Sequence, residues 1–254
     1  MHSADVKSRC TAIFHVAVNY NTSEYSSILR KVLCAEVCYA IVTSMKIFAH
    51  RGWAEGEGEN TLLAFKKSVK ERVDGVEFDV RYGVDGKSVV VSHDRVDGDS
   101  PLALDDALQY LRSSNLELLI ELKEYSDDFF VLITQHLRRY NLVGKTTIFA
   151  FPGIAELFPW TLRHDIRLGI IAPYPKDIKK YVEKHKPNTV LLGWGNNKER
   201  LIFKIFWKFF SLGNIFLKYP SIKFIVGVAY REKDRHWLSK HAGIYGATAD
   251  MPLS

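Results

Sequence analysis

The chain has 254 residues, 47% apolar and 25% charged, an ordinary balance for a soluble globular protein and enough length to bury a real core. Its formal charge of +6 and pI near 9.1 suit an anionic ligand or surface, and equally serve bland solubility. No Arg-rich run and no nucleic-acid motif accompanies that charge, so no nucleic-acid partner is expected, and three cysteines (Cys10, Cys34, Cys38), all before Met45, give neither a disulfide framework nor a zinc signature.

Residues 1–44 read differently from the rest of the chain. Their apolar stretches, 11–18 and 32–42, are broken by His15 and Glu36 and fall short of the roughly 20 residues a bilayer span needs. A signal peptide calls for an uninterrupted apolar stretch and a small-residue cleavage site, and the match is poor. Two expectations stand: an N-terminal extension, helical or poorly ordered, or a start assigned upstream of a true initiator at Met45. With nothing arguing for secretion, the protein is read as cytoplasmic.

From Met45, strand-like runs alternate with helix-like ones, which predicts parallel strands joined by crossover helices over 45–254. In chain order, the strands are 46–50, 76–82, 88–93, 116–122, 146–151, 167–172, 189–194, 223–229 and 244–249. The helices between them are 61–73, 104–111, 126–140, 154–164, 177–185, 198–211 and 233–241. Only five residues containing Asp85-Gly86 separate 82 from 88, too few for a crossover but suited to a hairpin. The run 88–93 is therefore expected antiparallel to its predecessor. The remaining eight strands predict a single (β/α)8 TIM barrel with a β-hairpin excursion over 76–93. A doubly wound open sheet is the alternative, and no Gly-rich dinucleotide fingerprint supports it.

Residues that carry chemistry cluster where strands end: His50-Arg51-Gly52, Glu59-Asn60-Thr61, Glu77-Phe78-Asp79, His93-Asp94 and Glu121-Leu122-Lys123. Side chains alternate along a strand, so Glu77 and Asp79 share a face, and folding about Asp85-Gly86 returns His93 to the height of Phe78. Glu121 ends a neighbouring strand and adds a third carboxylate, with Lys123 on its face. Three acids ending otherwise apolar strands are costly to bury without a cation, and they suit a hard one. The bland readings are strand-end packing for His50, surface exposure for the acids, and simple pairing with those acids for Arg51 and Lys123. Glu59 and Asn60 also suit a helix N-terminus, with Asn60 as cap, and Asp94 suits orienting a loop or His93.

In this order the pieces resemble the glycerophosphodiester phosphodiesterase family, part of a wider superfamily of phospholipase-C-like barrels. The likeness runs from Met45 to Pro252. It includes Val89-Val90-Val91-Ser92-His93-Asp94, Ile120-Glu121-Leu122-Lys123 and a final run from Gly243 to Pro252 that is similar to the family's last strand. The resemblance implies a TIM barrel that hydrolyses glycerophosphodiesters to an alcohol and sn-glycerol 3-phosphate. It implies Glu77, Asp79 and Glu121 as ligands of one divalent cation, Mg2+ or Ca2+, with His50 and His93 as general acid and base and Arg51 and Lys123 on the substrate phosphate. Three departures leave the substrate open. The segment after His93-Asp94 is short, Gly227-Val228-Ala229-Tyr230 replaces the Trp-Thr-Val-Asn common on the penultimate strand, and Gly58 stands where a proline usually precedes Glu-Asn-Thr. A lysophospholipase D-like activity and a catalytically silent phosphate-ester-binding barrel are the alternatives.

The stretch 198–219 stands apart, because apolar residues cover more than one helical face while Lys204 and Lys208 sit one turn apart. It reads as a heavily buried barrel helix with snorkelling lysines, or as an interfacial helix making weak membrane-surface contact. Sequence is silent on oligomeric state.

Overall fold

The computed structural model describes residues 45–53, 58–95, 101–194 and 196–250; the expected extension at 1–44 lies outside them. Ten strands appear in chain order: β1 (Lys46–Ala49), β2 (Gly75–Tyr82), β3 (Val89–Val91), β4 (Leu102–Ala103), β5 (Glu117–Leu122), β6 (Thr146–Ala150), β7 (Arg167–Ile171), β8 (Thr189–Gly193), β9 (Lys223–Gly227) and β10 (Ile244–Ala249). Eight of them are parallel neighbours in the order β1-β10-β9-β8-β7-β6-β5-β2, and β1 pairs with β2 to close the cylinder through Phe48↔Gly75 and Ala49↔Val76. This is the TIM barrel that the strand–helix alternation predicts.

β3 leaves the barrel as expected, antiparallel to β2 with Val80 opposite Val91. Asp85 Oδ1 makes the turn by accepting from Lys87 N, Ser88 N and Ser88 Oγ at 2.8–2.9 Å, while Gly86 takes φ +63°, a conformation open to glycine. The excursion has a further strand that the sequence reading lacks. β4 pairs antiparallel with β3 through only two residues, too few to show an alternation.

The helices are α1 (Leu62–Lys70), α2 (Leu104–Leu111), α3 (Asp127–Arg139), α4 (Pro152–Ala155), α5 (Ile178–His185), α6 (Asn197–Phe209), α7 (Leu212–Lys218) and α8 (Glu232–Ser239). Side-chain oxygens of Thr61, Ser126 and Asn196 cap α1, α3 and α6 by accepting from the first turn. Two predicted helices divide. In place of 154–164 the chain forms the short α4, then a 3-10 turn at Trp160–His164, with Pro159 between them. The run expected at 198–211 ends at Phe209, and Ser211 at φ +52° turns the chain into α7.

Alternation sorts each strand between two cores. On β5, Leu118, Ile120 and Leu122 face the helices and join the large outer core, while Leu119 faces the barrel axis. Inside, Phe48, Leu119, Phe149, Leu191 and Ile225 form the middle layer, each adding about 1.5–3 kcal/mol by burial. Below it Glu117, at the start of β5, accepts from Lys46 Nζ (2.5 Å), Lys223 Nζ (3.2 Å) and Tyr245 Oη (2.6 Å). Above it, at the C-terminal ends of the strands, lies a second polar layer.

Candidate active site at the C-terminal rim

Glu77, Asp79 and Glu121 are buried at that rim, and one carboxylate oxygen from each lies within 4.8 Å of the others. Their placement follows from period and register. Glu77 and Asp79 are two residues apart on β2, and Asp79 is the register partner of Glu121 on β5. Phe78, between the acids, points outward onto Phe65 of α1 and anchors the strand.

The loop after β1 turns over this trio. Arg51 (φ +48°), Gly52 (φ +82°) and Trp53 (φ +66°) are all left-handed, and a Cβ on Gly52 would lie 2.5 Å from Phe65 Cδ1. Only glycine fits there. The turn aims the Arg51 backbone N–H at Glu77 Oε2 (3.0 Å) and brings His50 Nε2 to 3.8 Å from the same oxygen. His50 Nδ1 donates to Asp250 Oδ1 at 2.6 Å. β1 and β10 are neighbours with Ala49 opposite Ala249, so the residues next after them, 200 positions apart in sequence, meet at the rim.

Cations enclose the acids from two sides. Lys123 Nζ bridges Glu121 Oε1 (2.5 Å) and Asp79 Oδ1 (2.9 Å), while Arg51 Nη1 donates to Glu59 Oε2 (2.5 Å) with its Nε 3.4 Å from Asp79. That buried Nε has no hydrogen-bond partner. Asn60, left-handed at φ +57°, holds Asp79 at both ends: its Nδ2 donates to Asp79 Oδ2 (2.9 Å) and its Oδ1 accepts from Asp79 N (3.2 Å). The helix cap expected of Asn60 belongs to Thr61 instead, which frees Asn60 for the rim.

His93 lies just past β3. Ser92 N donates to Asp79 O (3.0 Å), Arg81 Nε donates to the His93 carbonyl (2.8 Å), and His93 Nδ1 donates to the exposed Asp94 Oδ1 (2.9 Å). Six of the seven residues singled out for chemistry meet at the rim, and His93 is brought alongside by the Ser92–Asp79 backbone hydrogen bond. The rim also includes Asp250 and Asn60, to which the sequence reading gave no role at the site. Glu59, read there mainly as helix-terminal, is bonded to Arg51.

The electrostatics are lopsided toward negative charge. Burial, then the neighbouring charge of Asp79, pushes the Glu77 carboxyl up to about 8, with His50 and the Arg51 N–H opposing. Glu121 is also raised, by burial first, with Lys123 opposing. Burial works against charge on His50, but the Asp250 hydrogen bond and the charge of Glu77 outweigh it and raise the imidazole above its ordinary value. Three buried carboxylates against two fixed cations, with one acid driven toward its neutral form, are a donor set short of positive charge. All-oxygen donors of this kind fit a hard divalent cation.

Among known proteins, a sequence model of the glycerophosphoryl diester phosphodiesterase family matches residues 50–250. The chain belongs to this family. A glycerophosphodiester phosphodiesterase of Caldanaerobacter subterraneus subsp. tengcongensis is 41% identical over 119 residues, covering 43% of this chain and 49% of that protein. One from Bacillus altitudinis is 25% identical over 138 residues, covering 47% and 53%. The chain therefore spans about half the length of these curated relatives. Among solved structures, a glycerophosphodiester phosphodiesterase from Parabacteroides distasonis superposes with a TM-score of 0.64 at 18% identity, covering 82% of this chain and 94% of that one. An Oleispira antarctica phosphodiesterase, in complex with the product sn-glycerol-3-phosphate, gives 0.63 at 17%, covering 84% and 95%. These likenesses establish the shared fold.

Proposed function

We propose that the chain is a metal-dependent phosphodiesterase that hydrolyses glycerophosphodiesters to an alcohol and sn-glycerol 3-phosphate at this rim. The observation that carries the reading is the buried acidic trio, over-supplied with negative charge and flanked by His50, Arg51 and Lys123. Family membership and relatives named as glycerophosphodiester phosphodiesterases support the substrate class.

In this reading Glu77, Asp79 and Glu121 hold one Mg2+ or Ca2+, which when bound withdraws charge from the phosphoryl oxygens. Arg51 and Lys123 add fixed positive charge beside the same oxygens, and stabilise the charge that builds on them as phosphorus becomes five-coordinate. A new P–O bond forms to the attacking hydroxyl as the P–O bond to the alcohol breaks; attack by water gives sn-glycerol 3-phosphate directly, whereas attack by the substrate's own hydroxyl gives a cyclic phosphate that water then opens to it. One imidazole of the His50/His93 pair takes the nucleophile's proton, and the other gives a proton to the departing alkoxide. Asp250 acts through His50: it fixes Nδ1 and so directs Nε2 toward the trio. Asp94 holds Nδ1 of His93 in the same manner.

The test is incubation with glycerophosphocholine, glycerophosphoethanolamine and a lysophospholipid, each with Mg2+, Ca2+ or excess EDTA. Release of sn-glycerol 3-phosphate and the free alcohol from a glycerophosphodiester, silenced by EDTA, is the expected result. Hydrolysis of the lysolipid alone would move the assignment to a lysophospholipase D. No turnover of any substrate with either ion would leave a phosphate-ester-binding barrel.

A further inference from the structure

Outside the rim, the least ordinary surface is the outer wall formed by α6 and α7. Six large apolar side chains stand exposed within 17 residues: Leu201, Ile202, Ile205, Phe209, Phe210 and Leu217, from 39% for Ile205 to 69% for Phe209. They are not scattered. At 100° per residue Leu201, Ile202, Ile205 and Phe209 fall on one side of α6, and Lys198 and Lys208 fall among them. The opposite side is occupied, because Phe203, Leu212 and Phe216 are buried against the barrel. The heavily buried helix offered by the sequence is therefore not what forms: α6 is sandwiched on one face only.

Charge on this wall is mostly positive, with one exposed acid, Glu199, in the first turn of α6. From Arg200 to Arg231 the sequence has Arg200, Lys204, Lys208, Lys218, Lys223 and Arg231 but no aspartate or glutamate. Arg200 and Lys204 share one acid of the next helix, Asp234, at 3.0 and 2.9 Å, and Lys223 points into the barrel floor. Lys198, Lys208 and Lys218 remain exposed without an acidic partner among the described residues. Lys208 Nζ lies 5.4 Å from the Phe209 ring centroid and Lys218 Nζ 5.7 Å from that of Tyr219, so each ammonium sits over an aromatic ring.

We infer that the α6–α7 wall docks the enzyme on an anionic lipid surface. Protein–protein interfaces are depleted in lysine at their centres, whereas helices lying in the headgroup layer combine apolar and aromatic residues with lysines that reach anionic phosphates. A face with exposed apolar groups, interleaved lysines and a lone acid, Glu199, at one end matches the second pattern. Phe209, Leu201 and Ile205 enter the acyl boundary while Lys198, Lys208 and Lys218 stay level with the headgroups. α6 begins directly after β8, at the rim that carries the acidic trio, and runs back along the barrel, so Lys208, Phe209 and α7 lie toward the floor where β9 begins. Depth of contact is interfacial, since no helix among the described residues is long and apolar enough to cross a membrane.

Vesicle sedimentation of the full chain tests this independently of the catalytic reading. The chain should pellet with equimolar phosphatidylcholine–phosphatidylglycerol vesicles, weakly or not at all with phosphatidylcholine alone, and less as salt rises. Phe209→Glu combined with Ile205→Ser, and separately Lys208→Glu combined with Lys218→Glu, should each weaken partitioning by about tenfold or more. Hydrolysis of a soluble glycerophosphodiester by these variants should match wild type, which also reports that they fold. A wild-type chain that stays in the supernatant with anionic vesicles overturns the inference. So does a variant that pellets as wild type does, because another segment then carries the contact. A dimer that the Phe209 variant splits, with pelleting unchanged, would assign the wall to a second copy and overturn it equally.

Discussion

Strand β5 presents two glutamates to the barrel axis, one at each end, and they are held in opposite electrostatic states. Glu117, at the floor, is surrounded by Lys46, Lys223 and Tyr245; burial alone would raise its carboxyl, but the hydrogen bonds from Lys46 and Tyr245 and the charge of Lys223 hold it down at about 2. Glu121, four residues on, shares its rim with Glu77 and Asp79, and both it and Glu77 are pushed upward. The floor is complete within the chain: one acid, two ammonium groups and a phenol satisfy one another. The rim carries three acids against two cations and favours the arrival of a further positive charge. Same strand, same face, same residue type: the neighbours decide which glutamate holds the fold together and which is poised for a ligand.

Mutations at the two ends should therefore separate. The largest effect is expected at the rim histidines. His50→Ala or His93→Ala should lower turnover by about 10²–10⁴-fold, with a melting temperature near that of wild type; full activity in either would remove that residue from the mechanism. Next come the paired glutamates. Glu121→Gln should weaken Mg2+ or Ca2+ binding and turnover while leaving the metal-free protein as stable as before or more so, since it removes a repelling charge. Glu117→Gln should do the reverse, retaining turnover but losing about 1–2 kcal/mol, or roughly 2–4 °C in melting temperature. Matching phenotypes would break the comparison.

A smaller effect is expected from Asp250→Asn. Without that carboxylate the His50 imidazole loses the hydrogen bond that raises it, so the pH–rate limb belonging to His50 should move to lower pH, with kcat down about tenfold. An unchanged pH profile would make Asp250 merely structural. The smallest is the acid limb of stability. Glu117 has a folded value of about 2 against an ordinary 4.5, so its contribution is complete above 4.5 and is lost as pH falls toward 2. Discounted for its partial exposure, that is about 1–2 kcal/mol, absent from Glu117→Gln when both are unfolded across that range.

How much of this was legible in the sequence varies with the distance over which residues meet. Strand alternation and the tight Asp85-Gly86 turn were enough for eight parallel strands plus an excursion, because both are local signals. Glu77 and Asp79 share a face by period alone, and Glu121 joins them through register. Asp250 needed one further step. Once eight strands close, the last lies beside the first, and residues one past Ala49 and Ala249 must meet; that signal was present and went unread. Asn60 was hidden by its own chemistry, since asparagine before a helix normally caps it, and only the left-handed turn shows that Thr61 has that task. β4 and the break at Ser211 were illegible for a different reason: two residues cannot show a period, and a serine does not announce φ +52°.

The function proposed for the rim requires its acidic trio to bind one divalent ion and the floor to bind none. Calorimetric titration of Mg2+ and Ca2+ into metal-free wild type, Glu117→Gln and Glu121→Gln measures it directly. A single saturable site is expected in the first two proteins and its loss in the third. Equal binding by Glu121→Gln, or no binding by a correctly folded wild type, would contradict it.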